Sequence, residues 1–217
     1  MTGFFDSGFG GMCILEAFLR LCPDEPFVYV ADNGNCPYGN KPQAEIIAIS
    51  DRLTRELVET HKCGIVVVAC NTATAQAIDF LRRKYPQTKF VGLEPAIKPA
   101  AQGSKSGVVG VLATRGTFKG RLYRETSARF AGGVKVITQT ADEWVDLVER
   151  NVTEGDEAER KVREKVESLI AAGADKLVLG CTHFPHLKRL IEKAAAGRAE
   201  VVDPSEAVAK QIRRMMK

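Results

Sequence analysis

Two cysteines in this chain stand where a thiol can react rather than merely pack. Cys70 follows the apolar run GIVVVA (Gly64 to Ala69) and precedes Asn71 and Thr72. Cys181 follows KLVLG (Lys176 to Gly180) and precedes Thr182 and His183. Each sits between a strand end and a helix start. The unpaired N–H groups of a helix N-terminus favour a thiolate, and they also bind carboxylates. Asp6 and Ser7 end another apolar run, in GFFDSG (Gly3 to Gly8). Asp6 can serve as a base, as an anchor for an amine or as a turn residue. His183 is one of three histidines; it can tune the nearby thiol, act as an acid or cap a helix. Cys36 lies in the loop Asn35-Cys36-Pro37-Tyr38-Gly39 and lines a site at most. Cys13, Cys22 and Cys63 lack such surroundings and read as small buried apolar residues.

Cys70, Cys181 and His183 are also possible zinc ligands. Cys-x-His is not a usual ligand spacing, and no fourth ligand presents itself, so no metal is expected. The six cysteines are sparse and form no C-x-x-C pair, which predicts free thiols rather than a disulfide framework.

Both cysteines need a scaffold, and the sequence states that scaffold twice. VVVACNTAT (Val66 to Thr74) and LVLGCTHFP (Leu177 to Pro185) share one plan of strand, cysteine, polar turn and helix, with the cysteines 111 residues apart. GFFDSG and GVLATRGT (Gly110 to Thr117) form a second pair at an offset of about 107 residues. Two matches at similar offsets predict two related halves. Sites in open α/β sheets form beyond the carboxyl ends of strands. Halves facing each other would put Cys70 and Cys181 on opposite walls of one cleft.

The intervening pattern agrees. Strands are expected at 27–31, 64–69, 89–93, 107–112, 134–138, 176–180 and 200–202, β-branched and apolar as in parallel strands covered on both faces. Helical stripes run through Ile14, Leu15, Phe18 and Leu19, and through Ile46, Ile49, Leu53 and Leu57. Others use Val162, Val166, Leu169 and Ile170, ended by Gly173, and Leu187, Leu190, Ile191 and Ala194. A last helix opens at Asp203-Pro204-Ser205-Glu206, with Asp203 as cap, Pro204 at the first position and Glu206 completing a capping box. Alternating strands and helices predict an α/β fold with parallel sheets. The segment 94–99, with Pro95 and Pro99, is the expected boundary between halves.

Composition narrows the partners. Apolar residues make up 45% of 217, enough for a sizeable core. With 31 basic and 27 acidic residues the net charge is +4, and no block of five like charges occurs, which argues against nucleic acid and membrane partners. No apolar run approaches the ~18 residues of a membrane span. The start lacks the basic and cleavable features of a signal peptide, so the cytoplasm is the expected location.

The motifs FDSGFGG (5–11), ADNGNCPYGNK (31–41), VVVACNTAT (66–74), GLEPAIKPA (92–100), LVE (147–149) and LVLGCTHFP (177–185) together resemble the cofactor-independent glutamate racemases of the aspartate/glutamate racemase family. They occur in family order and span nearly the whole chain. The resemblance implies two similar parallel-sheet α/β domains about a pseudo-two-fold, with the site between them. The first would comprise 1–94 joined by the helix 204–217, and the second 95–203. That last helix ends early for the family and is expected to be short of packing partners. The implied activity is interconversion of L- and D-glutamate, without cofactor, to supply peptidoglycan, in a homodimer.

By the same resemblance Cys70 takes the proton from the D-isomer and Cys181 from the L-isomer, assisted by Asp6 and His183. Glu149 and Asp32 match acidic groups tied to the site. Asp6-Ser7, Tyr38-Gly39 with Pro37, Asn71-Thr72 and Thr182-His183 match substrate contacts, and Thr114 and Thr117 are placed at the cleft by the repeat.

The chemistry explains the pairing. Racemisation removes an α-proton from one face and returns one to the other, so it needs two monoprotic groups on opposite faces. Sulfurs each about 3–3.5 Å from one carbon stand roughly 7 Å apart. A disulfide needs about 2 Å, so such cysteines stay reduced. Fixed N–H donors with Asn71, Thr72 and Thr182 can hold the α-carboxylate. No Gly-x-Gly-x-x-Gly stretch or pyridoxal phosphate signature appears, and no lysine is singled out. Two rivals remain: a racemase of aspartate or a related acid, and a hydrolase using one cysteine with His183 as base. The second leaves the paired cysteine unexplained, and so does a non-catalytic binding protein.

Overall fold

A computed structural model describes residues 1–130 and 132–216. The chain folds into two four-stranded parallel sheets flanked by helices. The first holds β1 (Thr2–Asp6), β2 (Phe27–Ala31), β3 (Ile65–Val68) and β4 (Lys89–Gly92), in the order β2-β1-β3-β4. The second holds β5 (Val108–Ala113), β6 (Lys135–Thr140), β7 (Lys176–Gly180) and β8 (Glu200–Val202), in the order β6-β5-β7-β8. The second order is the first with each strand moved on by four, which is the repeat seen in the motifs. β1 and β3 are the inner strands of one sheet, β5 and β7 of the other, so all four chemistry-bearing strand ends are central.

Burial along nearly the whole strand holds only for those inner strands. Ile65 to Val68 are buried throughout, whereas β2 and β6 are half-exposed along most of their length. An edge strand has a neighbour on one side only, and Phe27 at the start of β2 is 40% exposed.

The predicted stripes form α1 (Met12–Leu21), α2 (Gln43–Arg55) extended by a π turn to Thr60, α8 (Asp156–Ala171) and α9 (Lys188–Ala195), and α3 (Asn71–Lys84) follows Cys70. The segment 94–99, expected as the boundary, lies between the two sheets and is partly helical: α4 spans Ile97–Gly103. Pro99 fits because it lies in the first turn, where an N–H has no partner within the helix. Ile97 and Ala100 pack on Val109, Val111 and Val178, so the chain crosses between sheets through a packed helix. Short helices α5 (Arg115–Lys119), α6 (Arg121–Phe130) and α7 (Asp142–Glu149) complete the second half.

The last helix, α10 (Ser205–Met215), does not lack a partner. It packs on α1, and Val208, Ala209 and Ile212 share a core with Phe4, Ile14 and Phe18 of the first sheet's layer. Asp203 caps it: Oδ1 accepts from the Ser205 backbone N–H at 2.9 Å and from its hydroxyl at 2.6 Å. The capping box is not completed. Glu206 turns outward and pairs with Arg20 of α1 at 2.6 Å.

Ile212 is fully buried where α10 meets α1. Ile212→Ala is expected to cost about 2–5 kcal/mol. Urea unfolding should show a lower midpoint at unchanged slope. A shift within the ~0.5 kcal/mol typical of surface changes would mean α10 lies outside the cooperative core.

Candidate active site

The carboxyl ends of the four inner strands converge between the sheets. Ser7, Pro37, Tyr38, Gly39, Cys70, Asn71, Thr72, Thr114, Val145, Cys181, Thr182 and His183 line one cavity there. Both thiols therefore face a shared space. The cavity measures about 10 Å³, room for roughly one water. Its lining carries no lysine or arginine.

The two halves hold each other by equivalent parts. Thr72, in the first turn of α3, meets Thr114 just past the end of β5, with hydroxyl oxygens 2.8 Å apart. Thr182, in the turn after β7, donates to Asp6 at the end of β1 at 3.4 Å. Cys70 is the N-cap of α3, and its sulfur accepts the Ala73 N–H at 3.5 Å. Cys181 differs: it is followed by Thr182, His183 and a single 3-10 turn, Phe184–Leu187. The expected helix start is thus an α-helix pole at Cys70 only. At Cys181 the polar support is His183, whose Nδ1 lies 3.7 Å from the sulfur.

Asp6, Asp32, Thr117 and Glu149 do not line the cavity; each contacts a residue that does. Asp6 accepts from the Gly11 N–H at 2.6 Å and from the Ser7 hydroxyl at 3.4 Å. Glu149, the last residue of α7, accepts from His183 Nε2 at 2.5 Å and from the Phe9 N–H at 3.0 Å. Asp32 takes bonds from the Tyr38 hydroxyl at 2.6 Å, the Asn35 amide at 3.0 Å and Arg52 at 2.9 Å. It ties down the loop that carries Pro37, Tyr38 and Gly39. Thr117 bonds Thr114 at 3.0 Å.

The glycines of FDSGFGG have a steric cause. A Cβ on Gly8 would lie 2.1 Å from Glu149 Oε1, and one on Gly10 would lie 2.5 Å from His183 Nδ1. Backbone without side chains runs directly over the Glu149–His183 pair.

Among the described residues, the ligating atoms close enough to share a metal are not those of the two cavity thiols. They belong to Cys36, Glu149 and His183 and lie within 4.8 Å of one another. Sequence reasoning did not single out Val145 or Arg52. Val145 lies on the apolar face of a short helix, just ahead of the LVE motif, and Arg52 looks like any outward charge on α2.

The sequence profile for Asp/Glu/Hydantoin racemase matches residues 13–212. The chain belongs to the aspartate/glutamate racemase family. It is 44% identical over 214 residues to a glutamate racemase of Herpetosiphon aurantiacus, covering 99% of this chain and 84% of that one. A glutamate racemase of Ectopseudomonas mendocina is 43% identical over 215 residues, covering 99% and 81%. Among solved structures, Escherichia coli glutamate racemase in complex with L-glutamate and the activator UDP-MurNAc-ala superposes with a TM-score of 0.90 at 33% identity, covering 99% of this chain and 82% of that one.

In this family member the electrostatics of the two walls are opposite. Burial pushes the Cys70 thiol well above its ordinary value, and the nearby Asp6 charge adds to this. Burial also raises the Asp6 carboxyl, against the pull of the His183 charge and of the Gly11 and Ser7 N–H groups. The Cys70 wall therefore holds its proton. Burial alone would neutralise His183, but its bonds with Cys181, Cys36 and Glu149 outweigh that and hold its pKa well above the ordinary value. Burial likewise disfavours the Glu149 charge, and the bonds from His183 and Phe9 overcome it, lowering that pKa. His183 and Glu149 form an ion pair behind Cys181.

Glu149→Gln should remove a bond that favours the imidazolium while burial stays. The His183 titration, followed by NMR of labelled imidazole, should then move to lower pH. A midpoint unchanged or higher would mean that Glu149 does not hold the imidazolium.

Proposed function

We propose that this protein is a glutamate racemase that works without a cofactor through two cysteines. The observation that carries the reading is Cys70 and Cys181 on one cavity, at equivalent turns of two sheets of identical strand order. Kinship with glutamate racemases selects the substrate. An α-carbon held between the walls presents one face to each sulfur. One sulfur takes the α-proton as thiolate, and the other gives its proton to the opposite face.

The assignment of faces follows the family resemblance: Cys181 acts on the L-isomer and Cys70 on the D-isomer. Cys70 is held as a thiol, so for L-glutamate the donor is already charged with its proton. The His183 imidazolium supplies the countercharge that a thiolate at Cys181 needs. In the reverse direction Cys70 must first lose its proton. Asp6, raised by burial and hydrogen-bonded to Cys70, stands where a base would accept it.

Besides the His183 imidazolium the lining offers no cationic side chain, so the developing carbanion needs fixed dipoles as well. The N-terminus of α3, Asn71, Thr72 and Thr182 are the groups we assign to the α-carboxylate. Ser7, Pro37, Tyr38, Gly39 and Thr114 line the rest of the pocket and are read as substrate contacts. Asp32, Thr117 and Glu149 act through the residues they hold. A space for one water is too small for glutamate, so binding requires the walls to part at the Thr72–Thr114 contact.

On the same footing we read two domains, 1–94 with 204–217 and 95–203. The separate sheets and the packing of α10 on α1 support this. Residence in the cytoplasm, a homodimeric state and supply of D-glutamate to peptidoglycan are proposed from the family resemblance. No helix among the described residues is long and apolar enough to cross a membrane.

Pure L- or D-glutamate in D₂O, with chelator and no cofactor, should lose its circular dichroism toward zero and acquire deuterium at the α-carbon. Faster loss with aspartate would replace the substrate but keep the mechanism. No exchange with either would leave a hydrolase or a binding protein.

Cys70→Ser and Cys181→Ser test the division of labour. A serine hydroxyl is a far poorer base, so each variant should lose at least about a hundredfold in racemisation, the lower end for a lost acid–base group. Elimination from a glutamate analogue with a β-leaving group needs only one base. Cys70→Ser should still process the L-analogue, and Cys181→Ser the D-analogue. Near-normal racemisation by either variant would rule out two opposed bases, whereas a reversed preference would exchange the faces.

A further inference from the structure

We propose that Cys36, Glu149 and His183 form a zinc-binding site whose occupation switches the enzyme off; the inhibitory half rests on the racemase reading above. The three side chains come from separate elements: the loop after β2, the end of α7 and the turn after β7. Their ligating atoms nevertheless lie within 4.8 Å of one another. A thiolate, a carboxylate and an imidazole are three of zinc's preferred donors, and three protein ligands leave the fourth tetrahedral position to water.

The adjustment required is small. Tetrahedral zinc with bonds of about 2.0–2.3 Å sets its ligand atoms roughly 3.3–3.7 Å apart. Glu149 Oε1 and His183 Nε2 are 2.5 Å apart with a proton between them, so zinc replaces that proton and the carboxylate withdraws by about 1 Å. The Glu149 side chain is 19% exposed and has room to move outward, whereas His183 is buried beneath Gly10 and stays. Binding displaces the Cys36 thiol proton and the Nε2 proton to solvent. Thiolate and carboxylate then balance the +2 charge.

The site is separate from the reacting thiols but shares His183 with them. Metal-free His183 is an imidazolium, a positive partner for Cys181 with a proton to lend; with Nε2 on the metal and a proton on Nδ1, the ring is an imidazolium no longer. It also has no proton to give without becoming an imidazolate. The wall that acts on L-glutamate is thereby frozen, although neither cysteine of the pair is touched.

Metal-buffered zinc and cobalt(II) test this on the full chain. Wild-type protein should bind one cobalt per chain with a near-ultraviolet thiolate-to-cobalt charge-transfer band. The band should persist in a Cys70→Ser, Cys181→Ser double variant and vanish in Cys36→Ala. With each protein's activity read against its own metal-free rate, the zinc concentration that halves it should rise about tenfold or more in Cys36→Ala. If Cys36→Ala folds poorly, Cys36→Ser keeps the size and should show the same loss. The proposal is overturned if wild type gives no band, if the band is lost in the double variant, or if the Cys36 variants keep both the band and the inhibition. Absence of glutamate racemisation with a Cys36-dependent band would refute the functional reading and leave the metal site standing.

Discussion

The proposed two-cysteine chemistry sets one constraint on this fold: two thiols must face a common point from opposite sides while staying too far apart to join. A single sheet cannot arrange this from one edge, because its strand ends all point the same way. Two sheets whose carboxyl ends face each other can. The matching orders β2-β1-β3-β4 and β6-β5-β7-β8 supply two equivalent turns, and a cysteine in each turn gives opposed sulfurs. All six cysteines are free. The contacts that keep the walls in register are themselves paired, Thr72 with Thr114 and Thr182 with Asp6.

Burial sets the second condition. The lining has no lysine or arginine, and charge developed there meets the His183 imidazolium, backbone dipoles and hydroxyls. Uncompensated charge in such a place is costly, so the ionisable groups are linked in short chains. Asp6 is bound by Gly11, Ser7 and Thr182. His183 is bound by Glu149, which in turn takes the Phe9 N–H. The glycines at 8 and 10 let the backbone come this close, which connects a sequence motif directly to the electrostatics behind Cys181.

Much of this was legible in the sequence, for identifiable reasons. Inner strands read clearly because they are continuous apolar runs, and the cysteines stood out because polar residues follow them at the strand ends. The offset of 111 residues between those motifs disclosed the duplicated sheet. The helix α4 was hidden by Pro95 and Pro99, since a proline in a first turn looks like one in a linker. Glu206 matched a capping-box spacing, but Arg20, remote in sequence, drew it away. The role of Asp32 as a loop anchor was also invisible, because its partners Tyr38 and Arg52 reach it from two different elements. Spacing reports what one element presents to solvent or core; it does not report what another element brings to meet it.

A duplicated fold would by itself give two identical half-sites, and this molecule has removed that equivalence where protons move. Cys70 caps a long helix and lies beside a carboxyl group; Cys181 precedes a single 3-10 turn and lies beside an imidazole. The helix pole and the imidazolium are alternative positive partners for a thiolate, so each wall has one. The carboxyl groups are placed differently. Asp6 adjoins Cys70 itself and keeps that proton in place, whereas Glu149 stands one residue removed, behind His183, and keeps the imidazole charged. The same residue type thus favours the thiol on one wall and supports the thiolate's countercharge on the other. Backbone symmetry supplies two equivalent walls, and the side chains break it, with a carboxyl group beside Cys70 and an imidazolium beside Cys181.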